Sequence, residues 1–139
     1  MATGHITALD DNIRKFLTAP RFAVLATAGR DGMPQQSVVW YDLRGDRIMM
    51  NMRIGRDKER NLRRDPRVSF CVEDGYHYVT FRGTVEFDEE QEHALEDIRA
   101  LAIRYQGKEE GEKVWQEEYS RQRRVTIYLS TDNGYVYEV

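Results

Sequence analysis

The sequence is short of cysteine and of long apolar runs, and each shortage excludes a class of protein. Cys71 is the only cysteine among 139 residues, so the chain can form no internal disulfide, paired redox motif or cysteine-rich zinc site. Its apolar neighbours are typical of a strand residue. No apolar run approaches the roughly 20 residues that cross a bilayer, and the N-terminus lacks the charged-then-apolar layout of a secretion signal. We therefore expect a cytoplasmic protein with no membrane contact.

An excess of charge of one sign is also absent. Charged residues make up 32% of the chain, the two signs are interspersed, and the formal net charge is −3. This composition is typical of a well-solvated surface rather than of the basic face that binds nucleic acid. We expect no nucleic-acid partner. The length suits a single domain, residues 1–139, with a core of its own.

Side-chain sets that carry hydrolytic or metal chemistry are missing as well. The histidines, His5, His77 and His93, show no metal-ligand spacing, and we expect His5 to lie in a disordered tail. No serine has the glycine frame of a nucleophile elbow, and neither a Walker loop nor a Rossmann glycine motif occurs. The acidic pairs at 109–110 and 117–118 fall on polar helical stretches and are interpreted as solvated. We assign no metal site and leave the catalytic residues unassigned.

Hydrophobic periodicity predicts about seven strands and three or four helices. The predicted strands are 22–28, 34–43, 47–52, 67–73, 76–87, 125–129 and 135–139. The predicted helices are 10–18, a basic helix that stops at 65–66, 89–105, and a shorter one carrying residues 114, 115 and 119. Short connections favour antiparallel pairing, because a parallel sheet needs a crossover helix at each step. About six antiparallel strands in so short a chain favour a small barrel, which removes exposed edges.

Two local signals locate features within these elements. Gly83 lies inside the long predicted strand 76–87, where a glycine indicates a bulge or a bend. Asp88 and Gln91 have the spacing of a capping box, so we expect their side chains to cap the helix that follows.

The most distinctive segment is residues 53–67, RIGRDKERNLRRDPR, whose charge opposes that of the whole chain. It holds seven basic and three acidic residues. A predicted strand leads through Gly55 into a predicted helix that Asp65–Pro66 ends. Unpaired N–H groups at a helix start attract anions, and Arg56 and Lys58 would add two full charges there. The segment indicates a phosphate-binding turn, and the alternative is a solvated basic helix face.

Three stretches of the sequence resemble a known family. They are FAVLAT at 22–27, DGMPQ at 31–35 and RDKERNLRRDPR at 56–67. Together they resemble the pyridoxamine 5'-phosphate oxidase-like, FMN-binding split-barrel superfamily, and within it the oxidoreductases that use the deazaflavin coenzyme F420. The likeness runs from Ile13 to Val136. It implies an α+β fold that is mainly β, an antiparallel split β-barrel that forms a homodimer with two cofactor sites between the protomers.

The resemblance also implies which residues bind the cofactor. They are Pro34, Gln35, Gln36, Ser37, Val39, Asn51, Met52, Arg56, Lys58, Arg60, Asn61, Tyr76 and Tyr78. Arg56 and Lys58 would hold the phosphate, with Arg60 and Asn61 assisting them. The strand 34–39 would lie along the ring, with backbone groups and the side chain of Ser37 or Gln35 at its polar edge.

The remaining implied residues surround the rest of the cofactor. Asn51 and Met52 would approach the ribityl chain, while Tyr76 and Tyr78 would cover the ring from the partner chain. Two alternatives stay open. Val39 and Met52 also suit an ordinary core, and the tyrosines also suit ordinary strand or dimer packing.

The implied function is an F420-dependent oxidoreductase that transfers a hydride from the reduced deazaflavin to a small conjugated acceptor, such as an enone, quinone or tetrapyrrole. The protein would supply proximity and electrostatic support. Arginines beyond a single phosphate site match the anionic tail of F420, although exposed arginines without a ligand look the same; they are Arg53, Arg63, Arg64 and Arg67. The alternatives are an FMN-dependent oxidoreductase of the same fold and a flavin- or F420-binding protein without catalytic activity.

Overall fold

The computed structural model describes residues 1–139 and contains ten strands and four α-helices. The strands are β1 (Gly4–Ile6), β2 (Ala23–Ala28), β3 (Pro34–Val39), β4 (Asp42–Arg44), β5 (Arg47–Arg53), β6 (Arg67–Asp74), β7 (His77–Thr84), β8 (Glu86–Asp88), β9 (Arg124–Ser130) and β10 (Gly134–Tyr137). The helices are α1 (Asp11–Thr18), α2 (Asp57–Arg64), α3 (Gln91–Gln106) and α4 (Lys108–Glu117), followed by a 3₁₀ turn at Tyr119–Arg121. None of the helices combines the length and apolar content that crossing a membrane requires.

Two antiparallel sheets share the ten strands. One has six strands in the order β1-β10-β7-β6-β2-β3, and the other has four in the order β4-β5-β9-β8. The chain passes directly from one sheet to the other at three places. Two are corners, where residues 40–41 join β3 to β4 and Val85 joins β7 to β8, and the third is the turn 131–133, which joins β9 to β10. These corners connect the sheets into an antiparallel split barrel, which confirms the predicted fold.

The two predicted strands 34–43 and 76–87 are each divided by a corner, because a strand must bend to belong to two packed sheets. The second bend lies at Val85 and not at Gly83, to which the sequence pointed. Val85 is 4% exposed, and its N–H donates to the carbonyl of Pro66 at 2.9 Å. Gly83 stays within the regular pairing of β6 and β7.

An N-terminal strand that the sequence did not predict completes the six-stranded sheet. His5 lies in β1, opposite Tyr135 of β10. The two rings pack edge to face with 5.4 Å between their centroids. The expected disorder of this segment is therefore wrong. Three residues are too few to show a strand period, and pairing with the edge of β10 supplies the order.

The predicted capping box at the start of α3 is also wrong. The helix begins at Gln91, and its N-cap, Glu90, makes no side-chain cap bond. The Asp88 carboxylate accepts instead from the N–H of Glu90 at 3.1 Å and lies 2.9 Å from Nδ1 of His93. The Gln91 amide bonds to the backbone segment that leads into β9. Both predicted capping side chains thus form hydrogen bonds with other groups instead.

Twenty buried apolar side chains fill the space between the two sheets. Ile13 and Leu17 of α1 and Leu62 of α2 complete this core. The helices α3 and α4 lie on the outside of the four-stranded sheet, where Met49 and Leu101 belong to a second, smaller cluster. The basic helix α2 is therefore attached to the barrel through a buried leucine, which leaves its arginines, Arg60, Arg63 and Arg64, at the surface.

Close contact between α3 and α4 depends on Gly111. A Cβ at this position would lie 2.6 Å from the nitrogen of Ile103 and 2.8 Å from the carbonyl carbon of Ala102. Real Cβ atoms do not approach other atoms so closely, so glycine alone permits this spacing of the two helices.

The outside of the six-stranded sheet, here called the outer sheet face, carries no helix. Val24 and Val38 pair across β2 and β3 on this face and are 37% and 66% exposed. Tyr78 and Tyr137 stack on the same face, with 5.6 Å between ring centroids. One protomer therefore leaves an apolar sheet surface in contact with water.

Candidate functional site

The turn from β5 into α2 is fixed by two residues of the basic segment. Gly55 has φ +96°, a conformation that favours glycine, and its N–H donates to Oε1 of Glu59 at 2.8 Å. Arg63 donates to the other oxygen of that carboxylate at 2.9 Å. Burial opposes ionisation of Glu59, but these two hydrogen bonds outweigh it and lower the pKa. Arg56, the N-cap, contributes no cap bond, so the first-turn N–H groups of α2 lack a side-chain acceptor.

A cleft of about 280 Å³ opens at this end of α2 and is called the cationic cleft. Its lining is Asn51, Met52, Arg53, Arg56, Lys58, Glu118, Tyr119, Gln122 and Arg124. Four of these side chains are basic and one is acidic. None of the four basic groups forms an ion pair within the chain. The cleft therefore holds a surplus of positive charge that an anion can neutralise.

Lys58 and Arg124, the two most buried cations of the cleft, both have lowered pKa values. Burial, with Arg124 and Arg56 close by, lowers the pKa of Lys58. Burial is also the main cause that lowers the pKa of Arg124 to about 10, with Arg53 and Arg56 adding to the effect while Tyr119 opposes it. The Glu118 carboxylate opposes the lowered pKa of Arg124 only from a distance, and neither cation forms an ion pair, so a bound anion would raise both pKa values.

Asn51, expected beside the ribityl chain, is already engaged within the protein. Its amide nitrogen donates to the carbonyl of Ala94 at 2.8 Å and to the hydroxyl of Thr126 at 3.1 Å. Its amide oxygen accepts from Nε of Arg124 at 2.7 Å. The side chain joins β5, β9 and α3, and it reaches the cleft as a support for Arg124.

A second cleft, of about 480 Å³, lies between α2 and the turn joining β2 to β3 and is called the hairpin cleft. Its lining is Gly29, Arg30, Asp31, Met33, Pro34, Gln35, Asp57, Arg60, Asn61 and Arg64. Three arginines face two aspartates here, so its positive surplus is smaller than that of the cationic cleft.

Asn61 fastens α2 to β3 within the hairpin cleft. It is 7% exposed, and its amide nitrogen donates to Gln35 at 2.6 Å and to Thr27 at 3.2 Å. Its amide oxygen accepts from Arg64 at 2.5 Å. Because its amide nitrogen and amide oxygen are both hydrogen-bonded within the protein, Asn61 positions neighbouring groups and has little capacity left for a ligand.

The predicted phosphate set is therefore divided between two clefts. Arg56 and Lys58 line the cationic cleft, whereas Arg60 and Asn61 line the hairpin cleft. Successive residues of an α-helix point about 100° apart, so a motif that is continuous in sequence faces two sides of α2.

The arginines expected to match an anionic tail fall into two groups, those that form ion pairs within the chain and those that do not. Arg63 is paired with Glu59 at 2.9 Å and with Glu89 at 2.5 Å, and Arg67 is paired with Asp65 at 2.7 Å. Arg53 and Arg64 form no ion pair and line the cationic and hairpin clefts respectively. Only these last two remain suited to a ligand.

The strand expected along the ring, β3, forms an edge of the six-stranded sheet. Pro34, Gln35 and Gln36 are exposed, and Ser37 is half-buried. Val39 is 8% exposed and belongs to the core. Met52 is also a core residue at 3% exposure, although it forms part of the cationic cleft wall. Core packing, the alternative for these two apolar residues, is confirmed.

The two predicted tyrosines lie away from both clefts. Tyr76 is 87% exposed in the turn between β6 and β7. Tyr78 is half-buried on the outer sheet face, stacked between Tyr135 at 6.3 Å and Tyr137 at 5.6 Å. Within one protomer they contribute to the apolar face, and a role towards a partner stays a prediction.

Arg124 is the site residue that the sequence did not reveal. It begins β9, directly opposite Arg53 of β5. The like charge of these two positions is the signal that could have identified it. Like charges directly opposite each other on paired strands are destabilising, so such a pair suggests that an anion binds between them. Recognising that signal requires the pairing of β5 with β9, which are far apart in the chain and separated by α3 and α4.

Comparison with known proteins agrees with the split-barrel geometry. The sequence profile described as pyridoxamine 5'-phosphate oxidase matches residues 9–135. A similar solved structure is a conserved hypothetical protein from Mycobacterium tuberculosis, with 30% identity and a TM-score of 0.73, covering 93% of this chain and 84% of that protein.

Two further solved structures carry names that mention a cofactor. An F420 reductase has 25% identity and a TM-score of 0.68, covering 88% of this chain and 94% of its own. An FAD and heme binding protein from Mycobacterium smegmatis has 17% identity and a TM-score of 0.68, covering 95% and 71%. The second likeness concerns the fold alone.

Proposed function

The chain belongs to the pyridoxamine 5'-phosphate oxidase family, and from that membership we propose that it is an oxidoreductase that uses coenzyme F420. In this proposal a hydride passes from the reduced deazaflavin to a small conjugated organic acceptor. The observation that carries the proposal is the cationic cleft, where four basic side chains without ion-pair partners surround the start of α2. The likeness to an F420 reductase supports this choice of cofactor.

The residues present fit an anionic cofactor of this kind. Arg56 and Lys58 would hold its phosphate, aided by the uncapped N–H groups at the start of α2. Each charge-assisted hydrogen bond contributes about 1.5–3 kcal/mol. Arg53 and Arg64, which form no ion pairs, would attract the rest of a longer anion. When bound, the deazaflavin supplies the hydride, and the protein supplies binding and orientation.

We further propose that the protein acts as a homodimer joined through the outer sheet face. Val24 and Val38, 37% and 66% exposed, give this face an apolar character that no helix covers. Burying apolar side chains at about 25 cal/mol per Å² would stabilise the pairing. Tyr76 and Tyr78 would then lie near the partner and could cover its cofactor ring.

Binding without turnover is the second candidate function. The cationic cleft contains one phenol and one carboxylate, those of Tyr119 and Glu118, as potential proton donors. Burial raises the pKa of Tyr119, which makes the phenol a poorer acid. This shortage of acids favours a carrier of F420 or FMN, and the similar fold of an FAD and heme binding protein is compatible with it.

The test compares two basic residues of α2 that face different clefts. F420 binding is measured by fluorescence titration for the native protein, Lys58→Ala and Arg60→Ala. We expect Lys58→Ala to weaken binding by about 1.5–3 kcal/mol, roughly 10- to 150-fold, and Arg60→Ala to have a small effect. Equal binding by the native protein and Lys58→Ala would place the site elsewhere.

Turnover is measured separately with reduced F420 and a panel of enones, quinones and tetrapyrroles. Oxidation of the coenzyme coupled to acceptor reduction supports the reductase. Tight binding without turnover across the panel supports the carrier, and release of FMN from the purified protein supports the FMN alternative. Absence of binding to either cofactor refutes both proposals.

A further inference from the structure

A buried chain of hydrogen bonds runs beneath α3 and ends in the cationic cleft. It starts at Asp97, 7% exposed, whose carboxylate pairs with Arg44 at 2.7 Å. The hydroxyl of Thr126, 0% exposed, donates to Asp97 at 2.7 Å and accepts from Asn51 at 3.1 Å. Asn51 in turn accepts from Nε of Arg124 at 2.7 Å. The chain is ordered because each member has a defined donor or acceptor role.

The guanidinium of Arg124 is held by neutral groups. Nε donates to Asn51, and Nη1 donates to the side-chain oxygen of Gln122 at 2.5 Å. Nη2 donates to no atom of the chain, and no buried polar side-chain atom lacks a partner, so Nη2 is accessible to solvent and free to bind a ligand. Arg124 is also one of the residues that line the cleft with Lys58.

Three other arginines of this protein are held by carboxylates. Arg44 pairs with Asp97, Arg63 with Glu59 and Arg99 with Glu112, in each case at 2.9 Å or less. Arg124 has no such partner, although it is half-buried and lies opposite Arg53 across the sheet. Holding a guanidinium among other cations is unfavourable unless an anion joins them.

We infer that Arg124 is a third anion-binding side chain of the cationic cleft, that its ligand is a phosphate-class oxyanion, and that Asp97, Thr126 and Asn51 are positioning residues that aim its guanidinium. The choice of F420 as the molecule that carries this anion rests on the proposed function. The binding of a phosphate-class oxyanion by Arg124 does not. Arg124 comes from β9, so the anion is held from β9 as well as from α2.

The first test uses Arg124→Gln and its sequence neighbour Arg123→Gln as a matched control. Both changes remove one positive charge, but Arg123 is exposed and does not line the cleft. The affinity for inorganic phosphate is measured at low ionic strength by calorimetry. We expect Arg124→Gln to weaken phosphate binding about 10- to 100-fold and Arg123→Gln to change it less than about threefold.

The second readout requires no ligand. Burial and the charges of Arg124 and Arg56 depress the pKa of Lys58. Removing the charge of Arg124 should therefore raise the pKa of Lys58, followed by NMR of its side chain. Arg123→Gln should leave that pKa unchanged. A purely structural Arg124 that points away from Lys58 would leave it unchanged as well.

The third test concerns the positioning residues. Thr126→Val removes the hydroxyl that links Asp97 to Asn51, whereas Thr126→Ser retains it. We expect phosphate affinity to fall about three- to tenfold in the first variant and to recover in the second. A fall in both variants would indicate disturbed packing and would overturn the positioning role. These variants also serve if Arg124→Gln fails to fold.

The outcomes separate this inference from the proposed function. If Arg124→Gln binds phosphate as tightly as the native protein while Lys58→Ala binds it more weakly, the role of Arg124 is overturned. Equal losses in Arg124→Gln and Arg123→Gln also overturn it, because they would show a general field effect. If the Arg124 results are as expected but the native protein binds no F420, the oxyanion site stands and the choice of cofactor falls.

Discussion

Gly111→Ala tests whether the close contact of α3 and α4 is as tight as the structure indicates. The new Cβ would lie 2.6 Å and 2.7 Å from the N and Cα atoms of Ile103, whereas ordinary contact begins near 3.4 Å. The two helices would therefore have to separate by about 0.8 Å, because the obstructing atoms belong to the backbone and cannot rotate away.

The expected cost follows from two opposing contributions. Overpacking of this kind costs about 1–3 kcal/mol, and contact with backbone at several atoms places Gly111→Ala at the upper end. Alanine has a better helix propensity than glycine, which offsets about 1 kcal/mol of this cost. A net loss of about 2 kcal/mol is expected, which corresponds to a fall in melting temperature of roughly 6–8 °C for a chain of this length.

Urea unfolding followed by circular dichroism measures this loss. Lys113→Ala is the control, because Lys113 lies on the same helix and is exposed, so its effect should stay within about 0.5 kcal/mol. If Gly111→Ala is as stable as the native protein, or more stable by the helix-propensity gain, the two helices do not touch as described. The reasoning on their spacing would then be refuted.

Three other predictions concern pH and assembly. Hydrogen bonds lower the pKa of Glu59 against the effect of burial, so its contribution to stability should be present above about pH 4.5 and lost in acid, and Glu59→Gln should flatten this dependence. Burial, then the nearby Tyr105, raises the pKa of Tyr41 to about 12; the native protein should lose stability as pH rises from 10 towards 12, and Tyr41→Phe should not. Val38→Lys should convert a dimer to monomers in sedimentation, while Lys113→Ala should not. Native-like pH profiles in the first two variants, or a monomeric native protein, would contradict these expectations.

Much of the fold could be predicted because its strands carry clear local patterns. The predicted strand 47–52 and the basic helix after it correspond closely to β5 and α2. The corners could not be located, since the bend at Val85 arises from packing in three dimensions and not from the nearby Gly83. The strand β1 could not be seen either, because its order depends on the edge of β10.

The candidate site was only partly predictable for a similar reason. The residues at the start of α2 are adjacent in sequence, so Arg56 and Lys58 could be proposed from the motif alone. The separation of Arg60 from them depends on the direction in which each side chain leaves the helix. Arg124 joins the cleft only through the pairing of β9 with β5, which no local pattern encodes.

The two corners at residues 40–41 and at Val85 have a consequence for how the protein comes apart. Each sheet contains strands from the N-terminal and the C-terminal half of the chain, and the chain crosses between the sheets at these corners and again at residues 131–133. A cut in the middle of the chain, between β5 and β8, therefore divides the strands of both sheets between the two fragments. Unfolding should be cooperative, with both sheets lost in one transition, and co-expressed halves should have to interleave to recover the native state.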